Sequence, residues 1–342
     1  MVYQGITYRG SPSGKIVESS FARESLEADE VVITVTHSGV CGSELHLLRM
    51  GIVLGHEGIG IVQEIGSACK RVKVGDRVGW GFNHTGCGYC DYCLSGPSED
   101  QYCKNAKMFT LDSTDQGSFS TLSVRKEEWL FVIPDGLSSE YAAPLMCAGA
   151  TVFTPLIDYV KPIDRIGIVG IGGLGHLAIQ FAAKMGCDVV VFSSSESKRE
   201  EALALGASEF YATKGVTNLA DLGMKKPVKY LLLTNSGSTN LGIYYPLLDE
   251  HAKILLTTYA TGDLVTSHPE MTFRGLSIIG TKIGSRYIVN KMLDFAARNK
   301  IAPYIERFPM SVEGAEAAIK KLRDGTMRYR GVLVCDSEGK SE

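Results

Sequence analysis

Four of the chain's nine cysteines fall inside "GCGYCDYCLSGPSEDQYC", Gly86–Cys103. Cys87, Cys90 and Cys93 are separated by two residues each, and Cys103 follows after nine more. Two-residue spacers let successive thiolates face one centre, and a fourth closes a tetrahedron that suits Zn2+. Four protein thiolates leave no open coordination position, so such a site is structural. Free surface thiols, a thioredoxin-like CxxC and an iron–sulfur cluster are the alternatives that the spacing leaves open. A second group of reactive types stands upstream: Cys41, Ser43, Glu44, His46, His56 and Glu57. A thiol and an imidazole at 41 and 56 could share a metal. Taken alone, one Cys and one His in a β-rich stretch read better as packing residues.

These groups need elements to hold them. Residues 29–37, 51–66 and 72–80 are short β-rich runs broken by glycine, which predicts an irregular barrel-like domain. Further on, "DRIGIVGIGGLGHLAIQFAAKMGCDVVVFSSS" (164–195) reads strand, glycine-rich turn, helix, strand. That context makes Gly170, Gly172, Gly173, Leu174 and Gly175 a dinucleotide-binding turn, with the following helix offering its N-terminal N–H groups to a pyrophosphate. The second strand ends in Ser193, Ser194 and Ser195, with Lys198 and Arg199 behind them. An acid there would repel a 2′-phosphate, whereas hydroxyls and cations accommodate it, so NADP(H) is expected. The competing reading is that the serines only cap the next helix. Runs at 229–238, 252–260 and 275–285 read as further strands, giving a doubly wound parallel sheet. The helix at 288–301 and the strand at 330–336 would return to the first domain.

The chain has 342 residues, 44% hydrophobic and 21% charged, with a formal net charge of -3. That length implies two domains, and the charge argues against nucleic acid or an anionic membrane as partner. The first residues carry no apolar leader and no run is long enough to span a bilayer, so a cytoplasmic location is the default expectation. In a reducing compartment, clustered cysteines favour metal over disulfides.

Together the ordered motifs "GVCGSELH", "GHEGIGIVQEIG", "VGDRVGWG", the four-cysteine lobe, "AAPLMCAGATVF", "GIGGLGHLAIQFAAKMG" and "LDFAARNKI" resemble the zinc-dependent medium-chain alcohol dehydrogenases, in their NADP-preferring, cinnamyl-alcohol-dehydrogenase-like branch. The resemblance implies an α/β chain with a GroES-like catalytic domain at 1–153 and 287–342 and a Rossmann domain at 154–286. It implies two zincs: Cys41, His56 and Cys147 around a catalytic ion, and Cys87, Cys90, Cys93 and Cys103 around a structural one. Glu57 resembles the carboxylate beside the catalytic metal. Ser43 and His46 match a proton relay that runs through the cofactor ribose, Thr151 a residue against the nicotinamide, and Arg328 a pyrophosphate contact. The expected reaction is hydride transfer between NADPH and an aldehyde–alcohol pair, aromatic or allylic, in a homodimer paired along "GLSIIGTKIG".

Two departures bear on the substrate. The segment between Cys41 and His56 is shorter than relatives carry, and the Cys93–Cys103 spacer is longer, at "PSED". An altered pocket keeps open an NADPH-dependent reduction of an iminium or activated alkene. A non-catalytic NADPH-binding protein is the alternative of another class, and the intact ligand set argues against it. Glu44, where aspartate is commoner, reads as a minor change, and the Met108–Phe109 pair reads as core or pocket wall.

Overall fold

A computed structural model describes residues 2–95, 99–110, 114–235, 240–259 and 262–335. The chain divides into two units, Met1–Ala150 with Ile283–Glu342, and Thr151–Lys282. Of the expected features, the tip of the "PSED" insertion and the ends of the strand runs at 236–238, 260 and 336 lie outside the described residues.

The first unit is built on Glu30–Val40, a strand whose valines and isoleucine are nearly all buried. It pairs antiparallel with Gly58–Ile65, Leu122–Lys126 and Arg330–Val334. The full sheet runs Ile305–Pro309, Arg330–Val334, Glu30–Val40, Gly58–Ile65, Arg77–Trp80, Phe131–Val132, with Leu122–Lys126 pairing Glu30–Val40 off this path. Glycine permits close approach at Gly58 and Gly60, where a Cβ would collide with Trp80 and with the Thr34 carbonyl. Irregular β structure of this kind leaves loops at the strand ends, and Cys41, His56 and Cys87 stand on such loops.

The second unit holds a six-stranded, all-parallel sheet. Numbered in chain order within the unit from Arg165–Val169, its strands lie 3-2-1-4-5-6, the doubly wound order. Central strands such as Arg165–Val169 and Val228–Leu233 are buried along most of their length, as strands covered on both faces must be. Strand 1 ends at the switch point of the sheet, and the glycine turn follows it into the Gly175–Lys184 helix. Gly170 has φ +96, and a Cβ on Gly175 would strike the Gly170 carbonyl, so this turn closes only with glycine at both places.

Candidate functional site

Cys41 follows directly on the Glu30–Val40 strand, and His56 and Glu57 directly precede Gly58–Ile65. Pairing of these two strands therefore brings the three side chains to one place. Cys147 arrives from a different element. After the Ser139–Pro144 helix, capped by Ser138, the chain widens into a π turn over Leu145–Gly149 before regular helix resumes at Ala150. Such bulges cost hydrogen-bond geometry and recur at functional sites. Donor atoms of Cys41, His56, Glu57 and Cys147 all lie within 4.8 Å of one another.

The four-cysteine lobe gathers just as closely. Cys87, Cys90, Cys93 and Cys103 offer sulfurs within 4.8 Å of one another, with neighbouring pairs at 3.6, 3.6 and 4.0 Å. Zn–S bonds of ~2.3 Å make a tetrahedron with edges of ~3.8 Å, so these separations fit zinc and not disulfides. All nine cysteines are free thiols.

Surroundings orient the first set. Glu44 Oε1 lies 2.8 Å from His56 Nδ1, while Glu44 Oε2 accepts the Cys41 backbone N–H at 3.0 Å. Glu44 is fully buried, so this carboxylate fixes the ring and leaves Nε2 facing the sulfurs, 3.3 Å from Cys147 Sγ. The Glu57 carboxylate pairs with Arg330, which is only 4% exposed. Glu57 Oε2 has no hydrogen-bond partner among the described residues. A buried oxygen without a donor, beside two thiols and an imidazole, is what a cation site looks like without its cation. The protonation pattern agrees. A hydrogen bond from Cys147 pulls the Cys41 thiol well below its ordinary range, and the same contact pushes Cys147 up. Burial raises Glu57 to about 7 against the pull of Arg330. Thiol and imidazole donors of this kind suit zinc, which displaces the protons they share.

Aromatic rings flank His56. Phe82 meets the His56 ring edge-on at 5.5 Å and Phe109, fully buried, lies 5.1 Å from it. Phe109 is thus both core and neighbour of the metal set.

Two sequence families cover most of the chain: "Alcohol dehydrogenase GroES-like domain" matches residues 27–135 and "Zinc-binding dehydrogenase" matches 173–298. A probable cinnamyl alcohol dehydrogenase 1 of Oryza sativa subsp. japonica is 34% identical over 339 residues, covering 94% of this chain and 93% of the relative. The chain belongs to the zinc-dependent medium-chain alcohol dehydrogenases, in their cinnamyl-alcohol-dehydrogenase-like branch. It is an alcohol dehydrogenase, an oxidoreductase acting on CH–OH groups. Solved structures agree. The cinnamyl alcohol dehydrogenase of Sorghum bicolor superposes with a TM-score of 0.89 at 28% identity, over 99% of this chain and 100% of that one. The Helicobacter pylori enzyme, solved in complex with NADP(H), gives 0.86 at 26% identity, over 98% and 99%.

Within this dehydrogenase the other sequence-predicted residues are placed as follows. Ser43 Oγ lies 3.6 Å from Cys41 Sγ and starts the short helix Glu44–Leu47, on which His46 is exposed. Thr151 is buried where the second unit begins. Ser193 is buried, Ser194 exposed, and Ser195 caps the following turn by accepting from the Ser197 N–H. Lys198 Nζ donates to the Ile171 carbonyl at 2.7 Å, which sets an ammonium beside the glycine turn. Arg199 pairs with Glu196 and lies over Phe210. Arg328 is exposed, and its backbone N–H donates to Glu306 at 2.7 Å.

Sequence reasoning gave no positioning role to two residues. Glu44 holds two of the metal-set residues at once, a part its residue type alone did not state. Its signal was an acid three positions after Cys41 on the same turn. Arg330 is the arginine buried against Glu57, two positions beyond Arg328. Its signal was a charge at the start of the apolar strand "RGVLV".

Proposed function

We propose that this dehydrogenase is zinc- and NADP-dependent and works as an aldehyde reductase, interconverting an aromatic or allylic aldehyde and its primary alcohol. The observation that carries this reading is the largely buried Cys41–His56–Glu57–Cys147 set, separate from the four-cysteine lobe. Cys41, His56 and Cys147 would hold the catalytic zinc, leaving one position for substrate. Cys87, Cys90, Cys93 and Cys103 would hold the structural one. When bound, zinc supplies Lewis acidity to the substrate oxygen, and the nicotinamide supplies or accepts the hydride. The protein does the rest. Glu44 keeps the His56 ring in one orientation, and Arg330 holds Glu57 beside the site. Ser43 gives its hydroxyl proton to the substrate oxygen as an aldehyde becomes an alcohol, and exposed His46 draws the replacement from solvent. Phe82 and Phe109 keep the neighbourhood of His56 apolar, which favours an aromatic or allylic substrate.

In the second unit the Gly170–Gly175 turn would receive the pyrophosphate, with Ser193, Ser194, Lys198 and Arg199 at the 2′-phosphate. Thr151 and Arg328 are the proposed nicotinamide and pyrophosphate contacts. The edge strand Ser277–Gly280 is the proposed pairing edge of a homodimer, which light scattering in solution checks directly.

Elemental analysis and cofactor kinetics test the reading together. Two zincs per chain are expected, with kcat/KM for NADPH exceeding that for NADH by about tenfold, or ~1.4 kcal/mol. Lys198→Ala should erase most of that preference. Equal use of both cofactors by the unaltered enzyme would reduce the serines and Lys198 to a cap and a latch on the turn. One zinc, located in the four-cysteine lobe, would favour the metal-independent reduction of an iminium or activated alkene.

A further inference from the structure

The four-cysteine lobe does no chemistry, yet one of its carboxylates points away from its own loop. Asp100, only 1% exposed, stands three residues before Cys103, and its carbonyl accepts the Cys103 N–H at 3.1 Å. Its side chain reaches the start of a helix 186 positions further along the chain. Asp100 Oδ1 accepts the backbone N–H of Arg286 at 3.0 Å, and Oδ2 accepts Arg286 Nε at 2.6 Å. One carboxylate thus grips both the main chain and the side chain of the first residue of Arg286–Asn299. Ser285 caps that helix by accepting from the Ile288 N–H at 3.2 Å.

The other end of the lobe is tied to the same arginine. Arg286 Nη1 lies 3.6 Å from Glu128 Oε2, and Glu128 Oε1 accepts the N–H of Gly86 at 2.8 Å. Gly86 immediately precedes Cys87. The guanidinium also sits over the Trp129 ring, 5.7 Å from its centroid. Both ends of the cysteine loop therefore converge on Arg286. The chain passes from the second unit back into the first between Lys282 and Ile283, only a few residues earlier. Charge adds to the case. Four thiolates around Zn2+ carry a net −2, and Arg286 is the cation held against that lobe.

We infer that the metal lobe is an anchor for the returning chain: its bound metal fixes Asp100 and Glu128, and these fix Arg286 and the segment that follows the crossing point. Asp100, Glu128 and Arg286 act in this reading as positioning residues. This inference rests on the reading that the lobe binds zinc.

The test uses the intact holoenzyme. Asp100→Asn keeps the shape and removes the charge. Arg286→Lys keeps the charge and removes the fork, and serves if the first variant folds poorly. Three quantities are read: the rate at which a chelator withdraws the lobe zinc, amide exchange in peptides covering 283–293, and Trp129 emission in a Trp80→Phe background, where Trp129 is the sole tryptophan. Both variants should release the lobe zinc at least about fivefold faster and exchange 283–293 at least about fivefold faster. Zinc at the Cys41 set should stay in place. Withdrawing the lobe zinc from the unaltered enzyme should speed exchange at 283–293 and shift Trp129 emission to the red. Unchanged exchange at 283–293 after the lobe zinc has gone overturns the anchor while leaving the zinc assignment intact. A lobe that holds no zinc in freshly purified protein overturns both.

Discussion

Gly39 decides whether Glu57 can occupy its place. It lies near the end of the Glu30–Val40 strand, and its N–H donates to the Glu57 carbonyl at 2.9 Å. A methyl carbon at Gly39 would stand 2.9 Å from both Cβ and Cδ of Glu57 and closer still to Oε2. The carboxylate cannot swing aside into solvent, because Glu57 is fully buried. Nor can it leave without abandoning Arg330, itself 4% exposed. Gly39→Ala therefore combines two costs. Forcing a methyl into a filled interior costs about 1–3 kcal/mol. Breaking a buried ion pair costs about 3–5 kcal/mol when one charge is stranded. Partial loss of the pair together with local strain puts the sum at about 2–4 kcal/mol.

For a unit of roughly 210 residues that loss lowers Tm by about 5–15 °C. Calorimetry and urea titration of the zinc-loaded protein measure it. The decisive arm is a double-mutant cycle. In a Glu57→Ala background the obstructing carboxylate is gone, so adding Gly39→Ala should cost under about 1 kcal/mol. The coupling should then exceed ~1 kcal/mol. If Gly39→Ala costs the same in both backgrounds, the clash with Glu57 is not the reason glycine stands there. A Gly39→Ala protein within about 0.5 kcal/mol of wild type refutes the reasoning outright.

Three other substitutions follow from single contacts. Glu44→Ala removes the carboxylate that orients His56 and should weaken zinc at the Cys41 set by about 10–100-fold while sparing the four-cysteine lobe; competition with a chromogenic chelator, counting two zincs separately, checks this. Ile163 is a β-branched residue at φ +68 and 89% exposed, so Ile163→Gly should relieve strain without losing packing and raise stability by about 0.5–1 kcal/mol, read by thermal melting. His84 is buried and donated to by Arg125 at 2.6 Å; burial first and then Arg125 hold its pKa well below the ordinary imidazole value. The unfolded chain then takes up a proton that the folded one refuses. Stability present above the unfolded pKa of ~6.5 is lost as pH falls below it, at up to ~1.4 kcal/mol per pH unit. Melting curves between pH 7 and pH 5 should therefore fall less steeply for His84→Asn than for wild type.

Readability from sequence followed the range of the interactions. Spacing alone pointed to the gathering of the four cysteines, because their sulfurs are supplied by one short loop. The glycine turn was legible for the same reason: Gly170 and Gly175 answer a constraint set within six residues. Cys41 and His56 were ambiguous until the ordered motifs supplied a family, since the register of two strands brings them together and no local pattern states that register. Glu44, Arg330, Asp100 and Arg286 share a harder problem. Each is a charged residue whose partner is fixed by the completed fold, 12, 273 and 186 positions away for His56, Glu57 and the Asp100–Arg286 pair. Such residues still leave a trace. A charge at the end of a short strand, as in "RGVLV" or "LSVRK", cannot stay unpaired where the fold buries it. It announces that a partner exists and leaves only the partner's identity to the structure. Arg330 found the Glu57 carboxylate, and Arg125 found a neutral histidine. The difference between those partners is chemical. A carboxylate beside the Cys41 set needs a cation to keep it anionic and in place, whereas the imidazole accepts a hydrogen bond from the guanidinium. The two buried arginines therefore do different work: Arg330 holds a carboxylate, and Arg125 donates to a ring.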